Sequence, residues 1–506
     1  MAVRTGFDNE KYLKEQTEEI LERVKMFNNK LYLEFGGKIL FDYHASRVIP
    51  GFDPNIKMRL LQKLKSKAEI ILCIYAGDIE RKKMRADFGI TYDVDAMRTI
   101  DDFNDWGLDV KAVVITRYDN QPAAELFKNK LERRGVSVHT HRFTKGYPTD
   151  VETIVSPEGY GRNSFIETEK PIVVVTGPGS GSGKLATCLS QLYHENLRNI
   201  KAGYAKFETF PVWNLPLKHL VNIAYESATC ELRDANVIDP FHLEAYGKYA
   251  VNYNRDVEAF PLLKRIFEKI TGEPSIYKSP TDMGVNRVGF GITDDEVCVE
   301  AAKQEIIRRY FRYSCEYALG LTDKETVERA EVIMKDIGAF PTDREVVKHA
   351  DEAALKAKGE PGKGYDGIYC GAAIELKDGT IITGRNSLLL HAVSALILST
   401  VKHLAKVPSE IHLLQPSITE SIGYLKKEIY NARGIGLDLE ETLIALSISA
   451  TFNPTAAFAM EKLKELRGCE VHLTHMPTPG DEVGLRKLGI NVTSNPKFAS
   501  KHLCNS

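Results

Sequence analysis

The chain has 506 residues, too many for one ordinary hydrophobic core, and its length reads as about three domains. Its 67 basic and 69 acidic residues leave a net charge of −2, with no long block of one sign, which excludes electrostatic wrapping of nucleic acid or of an anionic membrane. The eight cysteines (Cys73, Cys188, Cys230, Cys298, Cys315, Cys370, Cys469 and Cys504) show no CxxC or CxxH spacing, as in proteins of a reducing compartment. The first residues are charged where a secretory leader needs an apolar run, and no apolar segment approaches the ~18 residues of a membrane span. The expected setting is cytoplasmic, with small molecules or further copies of the chain, in a homo-oligomer, as partners.

After a helical start, AEIILCIYAGD (68–78) reads as a buried strand ending in a turn, and VKAVVITRYD (110–119) repeats the form. QPAAELFKNKLERRG is a helix closed by Gly135, VSVHTHRF alternates, and PIVVVTG leads into the helix LATCLSQLYHENLR and the strand AGYAKFETF. This succession predicts a doubly wound parallel α/β domain over residues 1–213. Residues 214–356 read as a mainly helical domain, interrupted by the polar loop YKSPTDMGVNRVGFGITDDE, and AKGEPGKGYD (357–366) reads as a linker. Residues 367–506 open on a hairpin signature around Lys377, Asp378 and Gly379 and continue as a further α/β domain with a late strand, CEVHLTHM. The fold class is therefore α/β and multidomain.

The stretch between PIVVVTG and its helix, GPGSGSGK, carries the chemistry. A Walker A loop needs GxxxxGK followed by Ser or Thr, so that backbone N–H groups wrap a phosphate, the lysine neutralises it and the hydroxyl holds Mg²⁺. Here Gly177 lies six residues before Gly183 rather than five, and Leu185 follows Lys184. What remains is a strand, four glycines, a lysine and a helix N-terminus, the ingredients of a P-loop-like anion site. Candidate phosphate-binding residues are Gly177, Gly179, Ser180, Gly181, Ser182, Gly183 and Lys184, with Thr187 as a substitute hydroxyl. A dinucleotide reading competes: GSGKLA (181–186) fits GxGxxA, and Glu208 stands roughly where a ribose-binding acid would.

Loops after other strands offer further candidates. Asp78 ends one strand, before Arg81, Lys82, Lys83 and Arg85; His44, Arg47 and Asp53 surround a Pro/Gly turn, and Arg47 has the fork to grip a phosphate. Lys184, Arg47 and Asp78 are the candidate catalytic residues. Asp239, before Pro240, reads as a helix cap rather than a magnesium ligand. Lys278, Ser279, Asp282, Asn286 and Arg287 crowd one polar loop, and Trp213 follows Glu208 closely enough to share its cleft.

TGPGSGSGKLATCLSQLYHEN, KFETFPVWNLPLKHLVNIAYESAT and FGGKILFDYHASRVIPGFDPN together resemble an uncharacterised bacterial family of cytoplasmic proteins of this length, over the whole chain. The resemblance implies a nucleotide-binding-type α/β domain, a helical insert and a C-terminal domain of cytidine-deaminase-like topology. Such a domain opens its first helix with (H/C)xE and completes a zinc site with PCxxC. His391, Ala392 and Val393 stand at the first place, and Pro416, Ser417 and Glu420 are taken for the second, so zinc ligands are lacking and no metal site is expected. The functional expectation is binding of a nucleotide or phosphometabolite, with ATP and Mg²⁺ as cofactors of an ATP-dependent phosphotransferase or ligase. The alternatives are a non-catalytic sensor and a dinucleotide-dependent oxidoreductase.

Overall fold

The computed structural model describes residues 4–85 and 88–501, so Cys504 lies outside the described residues. The chain divides into two compact units, residues 4–302 and residues from 303 onward, the division falling inside the helix Asp295–Ala318. The helical stretch expected over 214–356 is thus shared between the units.

In the first unit, six strands form one parallel sheet: β1 (Leu31–Phe35), β2 (Ala68–Tyr75), β3 (Val110–Thr116), β4 (Val138–Thr140), β5 (Ile172–Thr176) and β6 (Gly203–Phe207). Near-continuous apolar runs such as Ile-Val-Val-Val suit strands covered on both faces. Tyr32, Val173 and Val175 pack with Cys188, Leu189 and Leu192 of the helix Lys184–Leu197 and with Phe260, Leu263 and Phe267 of the helix Asn254–Thr271. On the other face, Leu72, Ile74, Val113 and Ile115 pack with Ile100 and Phe127 of the helices Tyr92–Asp105 and Pro122–Glu132. Each fully buried valine contributes about 1.5–3 kcal/mol, so the middle of β5 is a strong anchor for the loop that follows it. β1 carries Glu34 and the sequence pattern did not mark it as a strand; its registers, Leu31 with Ile172 and Leu31 with Gly203, set it between β5 and β6.

The order across the sheet is β4-β3-β2-β5-β1-β6. From β2 the chain runs towards β3, and from β5 it runs the other way, over β1, to β6. Adjacent strands whose connections part in opposite directions leave a crevice at their carboxyl ends, where α/β proteins bind ligands. The glycine loop leaves β5 at this crevice, and Asp78 lies just beyond β2, in the short helix Ala76–Glu80.

Two short strands, β7 (Asn236–Ile238) and β8 (Val251–Tyr253), form an antiparallel ribbon in the segment expected to be helical. Asp239 between them is a helix cap, as expected: it accepts from His242 N at 3.0 Å and from Thr281 Oγ1 at 2.6 Å.

The second unit holds a four-stranded mixed sheet of β9 (Gly371–Glu375), β10 (Ile381–Arg385), β11 (Glu470–Leu473) and β12 (Asn491–Ser494), in the order β10-β9-β11-β12. The Lys377-Asp378-Gly379 turn closes the β9–β10 hairpin as the sequence indicates, and β11 and β12 run parallel. Ala372 and Ile374 face Leu396 and Ile397 of the helix Ala392–Leu404, while Ala373 faces Val346 and Ala350 of the helix Glu345–Lys358. One expectation is corrected here. Pro416, Ser417 and Glu420 open an exposed helix, Pro416–Tyr424, that follows no strand of this sheet. The helix that follows β11 is Pro479–Leu488, and its residues meet His391 instead.

Candidate functional site

Gly183, the N-cap of the helix Lys184–Leu197, has φ +91°, a conformation open to glycine, and an added Cβ would lie 2.6 Å from Thr116 Cγ2. Gly179 is required by space instead, because a Cβ there would meet Tyr92 Oη at 2.6 Å. Thr116, the last residue of β3, donates from Oγ1 to Ser182 O at 2.7 Å and anchors the loop from across β2. The helix N-terminus has no side-chain cap, and no backbone N–H from Gly183 to Ala186 has a protein acceptor among the described residues.

Lys184 is only 8% exposed. Its ammonium donates to Gly179 O at 3.1 Å and to Ser182 Oγ at 3.4 Å, and has no carboxylate partner among the described residues. A buried cation held by neutral acceptors beside unpaired N–H groups has the electrostatics of an anion site. Thr176 at the end of β5 adds a buried hydroxyl without a partner among the described residues.

The other candidates scatter around this centre. Asp78 is buried, paired with Arg81, and close enough to Tyr92 that, after burial itself, its charge pushes the Tyr92 phenol up to about 12. Tyr92 in turn covers Gly179, so Asp78 does belong to the neighbourhood of the loop. Ser180 and Gly181 are exposed at its tip and Ser182 is buried beneath it. Thr187 is fully buried, with Cys73 Sγ donating to its hydroxyl at 3.4 Å, so it is turned into the core and away from the loop. Arg47 is half-buried in the helix Tyr43–Val48, which follows β1.

Glu208, two strands from the loop strand, forms an ion pair of 3.2 Å with Lys206, which also reaches Asp256 at 2.5 Å. Burial, aided by Asp256 and Glu34 and opposed by Lys206, raises the Glu208 carboxyl above its usual range. His44 is buried between Phe210 and Tyr225, Asp53 pairs with Arg59, and Trp213 Nε1 donates to Asn286 O. In the polar loop, Ser279 caps a short helix, Lys278 lies over the Tyr246 ring, Tyr246 donates to Asp282, and Arg287 pairs with Glu19.

Sequence reasoning passed over Arg117, the residue after β3. Its backbone is left-handed (φ +50°), its guanidinium lies 3.5 Å from the Tyr75 ring centroid, and it donates to Gly181 O. The available signal was its place directly after a strand, the same rule that picked out Asp78.

In the second unit, His391 Nδ1–H donates to Asp481 Oδ2 at 2.8 Å, and Asp481 also accepts from Thr478 Oγ1 and Leu439 N. Burial opposes protonation of His391, but the hydrogen bond and charge of Asp481 outweigh it and raise the imidazole pKa. A cleft of about 510 Å³ is lined by Asp351, Lys358, Tyr369, His475, Asn495 and Lys497. Among the described residues no group of three or more His, Cys, Asp or Glu is placed to hold a metal ion, and no helix is long and apolar enough to cross a membrane.

Fold and site define a two-unit α/β protein with a parallel sheet and a glycine loop at its crevice. A family model described as "Domain of unknown function DUF1846, N-terminal" matches residues 5–338, and its C-terminal counterpart matches residues 342–504. The chain is 61% identical over 501 residues to a "UPF0371 protein" of Clostridium botulinum (strain Langeland) and 59% identical over 501 residues to one of Clostridium tetani (strain Massachusetts / E88), with 99% of each chain covered in both cases. The chain belongs to this family, as its three motif stretches indicate.

Proposed function

We propose that the first unit binds the phosphates of a nucleotide or phosphorylated metabolite in the loop Gly177–Lys184. The observation that carries this reading is the buried Lys184 ammonium, held among the described residues by a carbonyl and a hydroxyl beside the uncapped N-terminus of its helix. A phosphate there would satisfy the N–H groups and supply the charge that Lys184 lacks. The sheet order supports it: the connections of the neighbouring strands β2 and β5 part in opposite directions, so the loop opens at the crevice where α/β sheets bind ligands.

ATP with Mg²⁺ is the expected ligand pair. Mg²⁺ is commonly bound through one or two carboxylates together with substrate phosphates, and the Asp78 carboxylate beside the loop suits that role. The metal would neutralise phosphate charge when bound. Lys184 would hold the phosphates against the helix N-terminus, and Tyr92 and Thr116 would keep the loop in shape for them. Phosphotransferase or ligase chemistry is the fuller form of this proposal. The sensor reading has its own support: Leu185 follows the lysine and the Thr187 hydroxyl faces Cys73, so the residues that normally offer magnesium a hydroxyl do not. The dinucleotide reading is disfavoured, because β1 separates β5 from β6 and sets Glu208 about 10 Å aside, two strand spacings instead of one.

For the second unit, the hairpin, the helix opened by His391 and the sheet order support a cytidine-deaminase-like topology, with Thr478–Asp481 in the place first given to Pro416–Glu420. Val393 cannot shuttle the proton that zinc deamination needs there, and among the described residues no group of three or more His, Cys, Asp or Glu is placed to hold a metal ion. Exposed Ile444, Ile448, Phe452 and Phe458 support the homo-oligomer reading.

Calorimetry of the full chain with MgATP tests the first-unit proposal. Lys184→Ala should lose binding while the melting temperature of the ligand-free protein stays nearly unchanged, and binding retained by that variant would overturn it. Turnover of bound ATP separates the enzyme from the sensor.

A further inference from the structure

We propose that Arg117 is a ligand for the terminal phosphate and makes the glycine loop selective for nucleoside triphosphates over di- and monophosphates. This rests on the phosphate-binding reading above.

Three features set Arg117 apart from a residue that merely braces the loop. The bracing is already done by its neighbour Thr116, whose buried hydroxyl bonds Ser182 O at 2.7 Å. The Arg117 contact is exposed and made to Gly181 O at the loop tip, a neutral acceptor that a phosphate oxygen would outcompete. The other guanidinium N–H groups have no protein acceptor among the described residues, so most of a five-donor fork is free for an anion.

The side chain is also held ready. Its Cζ lies 3.5 Å from the Tyr75 ring centroid, a cation–π contact that supports the guanidinium beside the loop. Its backbone sits at φ +50°, where a non-glycine residue is uncommon and where such residues gather at ligand sites. Lys184 lies on Gly179 O and Arg117 on Gly181 O, so two cations, one from the helix start and one from the loop after β3, converge on alternate carbonyls of one loop. Lys184 is buried at the helix start, and the half-buried Arg117 reaches the exposed loop tip at Gly181. A single phosphate at the helix N-terminus would meet Lys184; a chain of phosphates leading outwards would reach Arg117.

The test is calorimetric titration of the full chain with the magnesium complexes of ATP, ADP and AMP. Arg117→Ala should weaken ATP binding about tenfold or more, the usual size of one charge-assisted contact, and change ADP and AMP less than about twofold. Arg117→Lys should fall between, since it keeps the charge and loses the planar fork. Tyr75→Leu, which removes the supporting ring, should reduce the ATP preference in the same direction and stands in if Arg117→Ala does not fold. Equal losses for all three nucleotides would assign Arg117 to loop shape, and unchanged ATP affinity would remove it from the site; either overturns the proposal. Wild-type protein that binds ADP as tightly as ATP, with binding abolished by Lys184→Ala, would overturn triphosphate selection and leave the phosphate site standing. No nucleotide binding at all would overturn both.

Discussion

Gly183→Ala probes whether the glycine loop is held in one backbone conformation. At φ +91° an alanine takes on the left-handed penalty, roughly 1–2 kcal/mol. Its Cβ would also lie 2.6–2.7 Å from Thr116 Cγ2 and Oγ1, so Thr116 must turn and give up its bond to Ser182 O, a further loss of about 1 kcal/mol. Together these amount to about 2–3 kcal/mol. A kilocalorie moves the melting temperature of a large domain by about 2–4 °C, so the first unit should melt about 4–12 °C lower. Scanning calorimetry reads the shift, and hydrogen exchange should locate the loss to the loop and the start of its helix. Gly183→Asn, which tolerates left-handed backbone better, should recover part of it. A Gly183→Ala protein melting within about 1 °C of wild type would refute the reasoning, because neither the strain nor the contact with Thr116 could then exist.

Two other outcomes follow from the electrostatics. Asp481→Asn removes the charge that holds the His391 pKa above its ordinary value; burial then dominates, and NMR titration should place the imidazole below about 6.5. An unmoved pKa would contradict the pairing. Burial also pushes His141 down to about 4 and His472 to about 3. Both are depressed in the folded state, so the unfolded chain takes up protons first as pH falls below about 6.5. Stability should therefore decline from about pH 6.5 towards pH 4, at up to ~1.4 kcal/mol per pH unit for each histidine. A melting temperature that is flat between pH 7 and pH 5 would argue against buried neutral imidazoles.

Sequence and structure part where tertiary neighbours decide. The segments of β2, β3, β5 and β6 are legible because buried parallel strands need unbroken apolar or β-branched runs, and the glycine loop is legible because its composition has few other uses. β1 is hidden by Glu34, which interrupts its apolar run. The β7–β8 ribbon, three residues a side, falls below any periodic signal. Glu208 shows how spacing misleads: its distance along the chain suits a ribose acid, but the insertion of β1 between β5 and β6 is a property of strand order. His391 is rightly marked as the opening of a helix, whereas its partner is not QPSITES but the helix start at Thr478, since strand order again decides which helix end lies beside it. Arg117 is marked in the sequence by nothing more than its place after a strand, because its left-handed backbone and its contact with the Tyr75 ring exist only once β2 and β3 are paired.

The central claim, phosphate binding by the loop Gly177–Lys184, meets its most direct test in a crystal structure of the full chain with a non-hydrolysable ATP analogue and Mg²⁺. The account predicts phosphates against the N–H groups of Gly179 to Ala186, with Lys184 Nζ moved from Gly179 O onto phosphate oxygen. An analogue bound only elsewhere, for example in the cleft lined by His475 and Lys497, with Lys184 still on Gly179 O, would contradict it.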